Sequence, residues 1–479
     1  MALENKKAEN FSEWYTEVIL KSGMADYAPI QGCIVFRELS YAIWEKIQDN
    51  LNTRIKATGH KNAYFPMFIP ASLLQQESEH FAGFTPEVAW VTKGGSTDLA
   101  EPLAIRPTSE TIIYNMYSKW VQSHRDLPIL LNQWCSVVRW ETKATKPFLR
   151  TREFLWQEGH TAHATKEQAD AEVMMILQNY KELIESLLAV PVLIGRKSEG
   201  EKFAGALYTT TLEALMPDGK ALQAGTSHNL GQNFSKAFGI KFLDENEKEA
   251  FAWQTSWGIS TRLIGAMIMV HGDDKGVVIP PKAASLEAVI VPIPATDGVE
   301  NARVLSAAGK LKSELERHGI SVKLDDRDDK SPGWKYNEWE MRGVPIRIEI
   351  GKRDLEKNGC VMVRRDTGEK TFVAEAAVAS KARELLEAMQ SALFEKAKAF
   401  RDSHIHAAKD YDEFKRLLER EKGFVRASWC ACEKCEDEIK GETGATVRFV
   451  PFEPEDLISP VCLKCGEKAK EVAYFAKSY

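Results

Sequence analysis

The segment from residue 134 to residue 158 decides the fold class, and it reads WCSVVRWETKATKPFLRTREFLWQE. Alternating side chains on both sides of the loop that contains Pro147 predict an antiparallel hairpin with one polar and aromatic face. The residues expected on this face are Arg139, Glu141, Arg150, Arg152, Phe154, Trp156 and Glu158. Guanidinium groups match phosphate oxygens and aromatic rings stack on bases, so this face indicates a site for an anionic, planar ligand. The alternative is a surface sheet covered by Arg–Glu pairs.

A second segment, residues 253–262, reads WQTSWGISTR. It predicts a turn rich in Gly, Ser and Thr that ends at Arg262 and leads into an apolar helix over 263–270. Glycine allows the backbone to approach a ligand closely, and the arginine would contact a phosphate or stack on a base. Alone this signal is weak, because most arginines in such a setting are structural.

Length and composition limit the classes of protein that this chain can belong to. The chain has 479 residues, 44% of them hydrophobic, and a net charge of −6. It can therefore form about three domains of ~150 residues with packed cores, and disordered or collagen-like classes are excluded. Nucleic acid would have to be bound by local patches, since there is no overall basic field. No apolar run approaches the ~20 residues of a membrane span and the start is charged, so we expect no membrane contact and a cytoplasmic location.

The pattern along the chain predicts three domains, at 1–285, 286–385 and 386–479. The first is expected to be a large α+β unit, and its clearest helix covers 165–190, with Thr165 and Gln168 as a capping box. In the second, strands alternate with short helices, which predicts an α/β module. Its strands are expected at 288–292, 322–324, 346–350 and 361–363, and its helices at 300–318 and 336–342. A helical stretch over about 373–420 then leads to a small cysteine-rich domain.

Five of the eight cysteines lie in the last fifty residues, which favours a metal site over disulfides in a cytosolic chain. Cys432-x2-Cys435 and Cys462-x2-Cys465 have the paired spacing of a tetrahedral zinc site. Four sulfur ligands leave no open position, so such a zinc ion would be structural. Five thiols without metal are the alternative.

Two further histidine pairs have metal-like spacing, His160-x2-His163 and His404-x-His406. Neither has companion ligands in the sequence, and we expect neither to bind metal.

Four strings carry a resemblance: the last three resemble the prolyl-tRNA synthetases, a family of class II aminoacyl-tRNA synthetases, and the first resembles class II enzymes in general. They are NAYFPMFIP at 62–70, RPTSET at 106–111, PFLRTREFLWQEGH at 147–160 and GTSHNLGQNF at 225–234. The first is similar to motif 1 of class II enzymes, and the segments 134–158 and 253–262 are similar to motifs 2 and 3. The signatures of class I synthetases and of P-loop ATP-binding proteins are absent from the sequence.

The resemblance covers essentially the whole chain. The C-terminal tail and the final Tyr479 resemble the eukaryotic and archaeal-type enzymes. About ninety residues separate the two segments similar to motifs 2 and 3, which leaves no room for the editing domain that bacterial-type members insert there.

The resemblance implies a catalytic domain built on an antiparallel sheet, an α/β anticodon-binding domain and a zinc-binding α+β C-terminal domain. It implies a homodimer that attaches L-proline to tRNA(Pro) in two steps, with ATP as substrate, Mg²⁺, a structural Zn²⁺ and prolyl-adenylate as intermediate.

The resemblance also assigns residues to roles. Arg139 and Arg262 are expected to be catalytic. The contacts to ATP and Mg²⁺ would be Arg139, Glu141, Arg150, Thr151, Phe154, Gln223, Thr226, Ser260 and Arg262. The proline pocket would contain Phe84, Thr108, Glu110, Arg139, Trp156, Glu158 and His228. For Phe84 and Trp156 a role in the core is the alternative.

Two assignments at the C-terminal side leave alternatives open. Glu340, Arg347 and Asp354 would read the anticodon, unless Arg347 and Glu349 simply form a solvent-facing strand edge. The zinc ligands implied by the family are Cys430, Cys435, Cys462 and Cys465. Because the spacing favours Cys432 over Cys430, Cys432 remains the substitute.

Alanine and cysteine fit within a proline-sized pocket, and a missing methylene is worth only ~1–3 kcal/mol, so we expect one of them to be misactivated. Two other functions remain open. One is a sister synthetase for threonine, serine or glycine, and the other is a catalytically silent paralogue that acts as a regulatory or RNA-binding subunit.

Overall fold

The computed structural model of this chain describes residues 2–80, 87–140 and 144–479, without the side chains of 76–80. Phe84 and Glu141 lie outside the described residues. In the N-terminal part the helices are α1 (Phe11–Ser22), α2 (Glu38–Ala57), α3 (Ala71–His80), α4 (Glu110–Trp120), α5 (Lys166–Leu188), α6 (Asn233–Phe238) and α7 (Arg262–His271). The strands are β1 (Ala25–Tyr27), β2 (Ile34–Phe36), β3 (Lys61–Asn62), β4 (Phe68–Pro70), β5 (Trp90–Gly94), β6 (Thr97–Ile105), β7 (Ile129–Val138), β8 (Glu153–His163), β9 (Val192–Arg196), β10 (Tyr208–Leu215), β11 (Ala221–Gly231), β12 (Lys241–Leu243), β13 (Glu249–Phe251) and β14 (Trp253–Ser260).

A seven-stranded sheet of order β3-β7-β8-β14-β11-β10-β9 organises this part. Every neighbouring pair is antiparallel except β3 and β7, which confirms the predicted antiparallel sheet. Helix α5 packs on one face, and its buried Tyr180 contacts Trp257 of the central strand β14. Thr165 accepts a hydrogen bond from the backbone of Gln168 and caps α5 as predicted, although the Gln168 side chain bonds the backbone of Ala164 instead of Thr165.

The predicted hairpin forms, but its strands are shorter than expected. Strand β7 ends at Val138 and β8 begins at Glu153, so Arg150 and Arg152 lie in the connection and do not share the face of Phe154. The alternation fails because Phe148 and Leu149 are consecutive and both buried in the core. Arg152 stacks on Trp140 at 4.4 Å, and its Nη1 donates to the carbonyl of Gln31 at 3.1 Å.

The segment 253–262 is also different from its prediction. Residues 253–260 form strand β14, not a turn, because β8 and β11 bond its backbone on both sides. The predicted helix follows as α7, which starts at Arg262.

The middle part is an α/β module. Its elements are β15 (Ala288–Pro292), α8 (Gly298–Arg317), β16 (Val322–Leu324), α9 (Pro332–Met341), β17 (Ile346–Ile350), α10 (Lys352–Glu356), β18 (Gly359–Arg364), β19 (Lys370–Ala374) and α11 (Val378–Ser403). The sheet order is β16-β15-β17-β18-β19, with β15 parallel to both of its neighbours. The four predicted strands are present, and the sequence analysis missed β19. A bidentate ion pair from Arg365 to Asp273, at 2.7 and 2.8 Å, links this module to the end of α7.

The C-terminal part contains β20 (Ile405–Ala407), α12 (Tyr411–Arg416), β21 (Phe424–Trp429), α13 (Glu433–Thr443), β22 (Thr446–Phe449) and β23 (Glu471–Ala476), with sheet order β20-β21-β23-β22. The predicted helical stretch over 373–420 is wrong in two places. Strand β19 occupies its start, and β20 interrupts it after Ser403 because residues 405–407 pair in parallel with β21. Helix α11 continues through the predicted domain boundary at residue 385.

Across the ranges that the structure describes, no helix combines the length and the apolar character that a membrane crossing requires.

Candidate active site

A cavity of about 300 Å³ opens over the middle of the seven-stranded sheet. Strands β8, β11 and β14 and the start of α7 form its floor, and the loop before α4 forms one wall. It brings together these predicted site residues: Thr108, Glu110, Arg139, Phe154, Trp156, Glu158, Gln223, Thr226, His228, Ser260 and Arg262. Phe154, Trp156 and Glu158 share one face of β8, as the alternation predicted, so the surface-sheet alternative is wrong for this strand.

One end of the cavity is cationic. The Arg139 guanidinium lies 5.5 Å from the ring centroid of Phe154 and 5.6 Å from that of Trp156. Arg262 donates to the backbone carbonyls of Leu149 and Gln223 at 3.2 and 3.3 Å. Burial lowers the pKa of Arg262 to about 10, and the nearby charge of Arg139 contributes in the same direction. Arg262 remains charged at neutral pH, so two fixed cations border this end.

The opposite end is built around the buried carboxylate of Glu158. Ser109 and Gln133 donate to its Oε1 at 2.5 and 2.9 Å, and His160 Nε2 lies 3.0 Å from its Oε2. Burial alone would raise the pKa of Glu158, but the hydrogen bonds from His160, Ser109 and Gln133 hold it below its usual value. Burial opposes the charge of His160, yet Glu158 and Glu110 raise its pKa. Both shifts favour the charged forms, so the two buried side chains share a charge-assisted hydrogen bond.

The sequence analysis missed His160 and excluded it as an isolated metal-like residue. The structure instead groups it with Glu110 and Glu158, three side chains that could together hold a metal ion. The signal that could have found it is the same period of two that placed Phe154, Trp156 and Glu158 on one face of β8.

Two neutral groups complete this end. The hydroxyl of Thr108 donates to the buried carboxylate of Glu110. His228 Nδ1 lies 2.9 Å from the hydroxyl of Thr209, and burial lowers the pKa of His228 to about 3. This imidazole is neutral at physiological pH.

A second group that sequence reasoning missed is the loop between β9 and β10. Glu201, Lys202 and Phe203 of this loop line the cavity, and the Phe203 ring lies 4.8 Å from the ring of His228. No periodic pattern marks the loop in the sequence.

Two predicted ATP contacts do not line the cavity. Arg150 is exposed, although its charge contributes to the lowered pKa of Arg262. Thr151 is buried, and its hydroxyl donates to the carbonyl of Glu153 at 2.6 Å. The remaining predicted contacts, Phe84 and Glu141, lie outside the described residues.

Three models of known protein families match separate parts of this chain. Residues 90–271 match the tRNA synthetase class II core domain (G, H, P, S and T), residues 287–385 an anticodon binding domain, and residues 411–479 the C-terminal domain of prolyl-tRNA synthetase. The proline–tRNA ligase of Natranaerobius thermophilus is 54% identical over 476 residues, 99% of this chain and 97% of that protein. The proline–tRNA ligase of Alkaliphilus oremlandii is 55% identical over 470 residues, 98% of this chain and 96% of that protein.

This chain belongs to the prolyl-tRNA synthetase family. The predicted fold class is therefore confirmed, with a class II catalytic core, an anticodon-binding domain and a C-terminal domain that carries a cysteine cluster.

The cysteine cluster of this prolyl-tRNA synthetase family member comprises Cys430, Cys435, Cys462 and Cys465, whose sulfur atoms all lie within 4.8 Å of one another. Cys430 Sγ is 3.6 Å from Cys435 Sγ and 3.7 Å from Cys465 Sγ. Tetrahedral zinc with ~2.3 Å bonds to sulfur separates its ligands by about 3.8 Å, so this donor set fits zinc.

Cys432 is exposed at the start of α13 and lies outside the cluster. The spacing argument selected it because a CxxC pair is common in zinc sites. Here the chain turns at Ala431, which has a positive φ of 58°, and directs Cys430 toward the other sulfur atoms.

In the anticodon-binding domain of this synthetase, Arg347 lies on β17, which is paired on both sides. Its Nε and Nη2 donate to Glu349 Oε1 at 3.1 and 2.9 Å, and its Nη1 is 3.7 Å from Glu340 Oε1. The guanidinium also lies 4.3 Å from the ring of Tyr336. The strand-edge alternative is therefore wrong. Asp354 is placed separately, where it accepts from the backbone of Gly351 at the start of α10.

Proposed function

We propose that this chain is a proline–tRNA ligase, which joins L-proline to tRNA(Pro) in two steps through prolyl-adenylate. The observation that carries the proposal is one cavity in which Arg139 and Arg262 follow the ends of β7 and β14, whereas Glu158 and Glu110 lie together further along β8. A zwitterionic amino acid and a triphosphate require this separation of charge, since the substrate's ammonium and its reacting carboxylate must bind opposite groups.

In the first step, a carboxylate oxygen of proline forms a bond to the α-phosphorus of ATP while the bond from that phosphorus to the bridging oxygen breaks, and pyrophosphate leaves. Arg139 would hold the carboxylate and the α-phosphate, and Arg262 the triphosphate, because both reactants are anionic. Phe154 would stack on adenine. Further nucleotide contacts would come from Gln223, Thr226 and Ser260 in the cavity. Arg150, Thr151 and Glu141 would contribute from the β7–β8 connection, which Arg262 contacts at Leu149 but which does not line the cavity at Arg150 or Thr151.

Mg²⁺ would supply further charge neutralisation at the triphosphate, and the amide oxygen of Gln223 at the cavity wall is a suitable ligand type. In the second step a hydroxyl of the terminal ribose of tRNA attacks the activated carbonyl, and AMP leaves.

The proline ring carries a secondary ammonium with two N–H donors. Glu110, Thr108 and Glu158 would accept from it, since these groups are buried at the anionic end. Trp156 and His228, with Phe84, would surround the apolar ring.

The decisive experiment is amino-acid-dependent pyrophosphate exchange with each of the twenty amino acids, for wild type and Arg139→Ala. Proline should support exchange in the wild type, and the variant should lose it. Exchange with threonine, serine or glycine in place of proline would identify a sister synthetase. Binding of tRNA without any exchange would identify a silent paralogue.

We further propose that this enzyme is of the eukaryotic and archaeal type and misactivates alanine or cysteine. The support is that residues 164–252, where bacterial-type members carry an inserted editing domain, form α5, β9 to β13 and α6, which are all parts of the catalytic domain. Rejection of both amino acids by more than ~10⁵-fold in the exchange assay would exceed what hydrophobic fit supplies and would refute this point.

We propose a structural zinc ion on Cys430, Cys435, Cys462 and Cys465, because their sulfur separations suit tetrahedral coordination. Cys430→Ser should reduce bound zinc, measured by elemental mass spectrometry, and should lower the melting temperature. Cys432→Ser is the matched control and should keep one zinc per chain. The reverse outcome would assign Cys432 as the ligand.

We propose that Glu340, Arg347 and Asp354 read the proline anticodon. The clustering of Arg347, Glu340 and Tyr336 supports this, because unstacked bases are recognised by edge hydrogen bonds and stacking. The domain boundaries 1–285, 286–385 and 386–479 and a cytoplasmic location are part of the same proposal.

We also propose a homodimer through the segment similar to motif 1. Tyr64 is 69% exposed and Phe68 is 41% exposed. Phe68 lies on β4 of the three-stranded sheet β4-β6-β5, and Trp90 on β5 of the same sheet is 49% exposed. Exposed apolar clusters of this kind suit a protein interface. Light scattering after size exclusion should give the mass of two chains, and Phe68→Asp should shift it toward one.

A further inference from the structure

The loop between β9 and β10, here called the pocket loop (residues 197–207), has two sides with different neighbours. On its inner side Phe203 lines the cavity, and its backbone N–H donates to the Thr209 hydroxyl at 2.9 Å. The same hydroxyl lies 2.9 Å from His228 Nδ1. The position of Phe203 is therefore tied to the end of the cavity assigned to the amino acid.

On its outer side, the residues that lead into the loop contact the C-terminal domain one after another. The backbone of Arg196 exchanges two 2.8 Å hydrogen bonds with Val450, just after β22. Ser198 donates to Glu436 Oε1 of α13 at 2.7 Å, and Lys440 lies 3.4 Å from Glu201.

Between these contacts, Lys197 belongs to a buried cluster of three charged side chains, with Glu213 and Arg448. Its Nζ donates to Glu213 Oε1 at 2.9 Å, and Arg448 of β22 binds the same carboxylate with Nε and Nη2 at 3.0 to 3.1 Å. A buried carboxylate with two cationic partners and several hydrogen bonds has one well-defined geometry, and removal of one partner leaves an uncompensated charge.

Helix α13 also connects this contact to the cysteine cluster. Glu436 follows Cys435 directly and is itself only 4% exposed. Gly200 approaches it closely, since a Cβ on Gly200 would lie 3.2 Å from Glu436 Oε2. The contact is built into a packed interface and does not depend on mobile surface side chains.

We propose that the C-terminal domain positions the wall of the amino-acid pocket, and that Glu436 and Arg448 are positioning residues acting through the pocket loop. This inference rests on the proposed function for the identity of the ligand. It assigns the C-terminal domain a part in amino-acid binding, although it contributes no side chain to the cavity lining among the described residues.

Glu436→Ala is the first test, in the full-length protein. Loss of one buried hydrogen bond should raise KM for proline in pyrophosphate exchange about fivefold, while KM for ATP and kcat stay within about twofold. Hydrogen–deuterium exchange of residues 197–207 should become faster. Glu436→Gln should restore wild-type values, because its amide oxygen still accepts from Ser198.

Glu442→Ala is the matched control. Glu442 lies on the same helix, but its carboxylate binds Lys464 and Tyr411 of the C-terminal domain and no residue of the pocket loop is among its bonded partners in the described part of the chain. It should leave both readouts unchanged. If Glu436→Ala does not fold, Ser198→Ala removes the same hydrogen bond from the catalytic side and is expected to behave in the same way.

Unchanged deuterium exchange in the pocket loop of Glu436→Ala, or an equal change in Glu442→Ala, would overturn the inference. Parallel increases in KM for ATP and proline would also overturn it, since they indicate general damage. Absence of proline-dependent activity in the wild type would contradict the proposed function alone, because deuterium exchange reports the coupling independently.

Discussion

The cavity and the anticodon-binding domain both contain arginines close to buried glutamates, but they arrange them differently. In the cavity, Arg262 binds carbonyl oxygens at one end, while Glu158 is held by His160 and neutral donors at the other. On β17, Arg347 binds Glu349 directly at 2.9 Å. Among the described residues the cavity therefore leaves Arg262 without a bonded carboxylate, so that it can bind an anionic substrate, whereas Arg347 on β17 is already neutralised by Glu349. Substitutions should have larger effects in the first region than in the second.

The largest effect is expected for Arg262→Ala. A fixed cation at a water-excluded site stabilises charge on the transferring phosphoryl group, so kcat for pyrophosphate exchange should fall by about 10³-fold. Stopped-flow or radiolabel exchange measures this. Arg152→Ala is the control, because Arg152 lies in the β7–β8 hairpin beside the cavity but stacks on Trp140 outside it. An equal loss of kcat in the two variants would contradict the catalytic role of Arg262.

A smaller effect is expected for Arg347→Ala. A base-reading arginine contributes about 1–3 kcal/mol, so aminoacylation of tRNA should weaken by about 5- to 150-fold in kcat/KM. Pyrophosphate exchange should be unchanged, because that reaction does not involve the anticodon.

The control for Arg347 is Arg364→Ala in the neighbouring strand, where the guanidinium binds Asp366 at 2.7 Å. It removes a paired arginine from the same domain and should leave charging nearly intact. If Arg347→Ala lowers exchange and charging alike, the difference between the two regions does not hold.

Local patterns in the sequence were sufficient for much of this fold. The strands at 288–292, 322–324 and 346–350 have the predicted bounds, and α5 starts after Thr165 as expected. These elements are determined by apolar periodicity and capping within a few residues, both of which can be read without tertiary context. Half of the cavity residues were also predicted, through the family resemblance and the alternation in β8.

The errors come from contacts between distant segments. Phe148 packs against Phe36 of β2 and Leu149 against Gly265 of α7, so two consecutive residues are buried and the alternation does not extend through Arg150. Cys430 joins the cluster through a turn at Ala431, which the CxxC spacing does not encode. The pocket loop has no regular pattern, because its position is set by the C-terminal domain more than 200 residues further along the chain.

The smallest expected effect distinguishes the two histidines of the cavity by pH. Folding raises the pKa of His160 above its ordinary 6.5, so its stabilising pairing with Glu158 is complete below pH 6.5 and is lost as the pH rises through the raised value. Folding lowers the pKa of Glu158 from 4.5, so its part is present above pH 4.5 and is lost as the pH falls. The pair should contribute most between about pH 4.5 and 6.5.

The pH dependence of stability that His228 contributes has the opposite sign. Burial lowers the pKa of His228 to about 3, so this contribution is lost only as the pH falls from 6.5 toward that value. The melting temperature of wild type minus that of His160→Gln should therefore decrease from pH 6 to pH 9, by about 2 °C. The same difference for His228→Gln should be flat above pH 6.5 and should decrease only toward acid pH. A flat profile for His160→Gln over pH 6–9 would mean that His160 is neutral in the folded protein. Glu158 would then be held by neutral donors alone, without the cationic partner that Glu349 has in the β17 cluster.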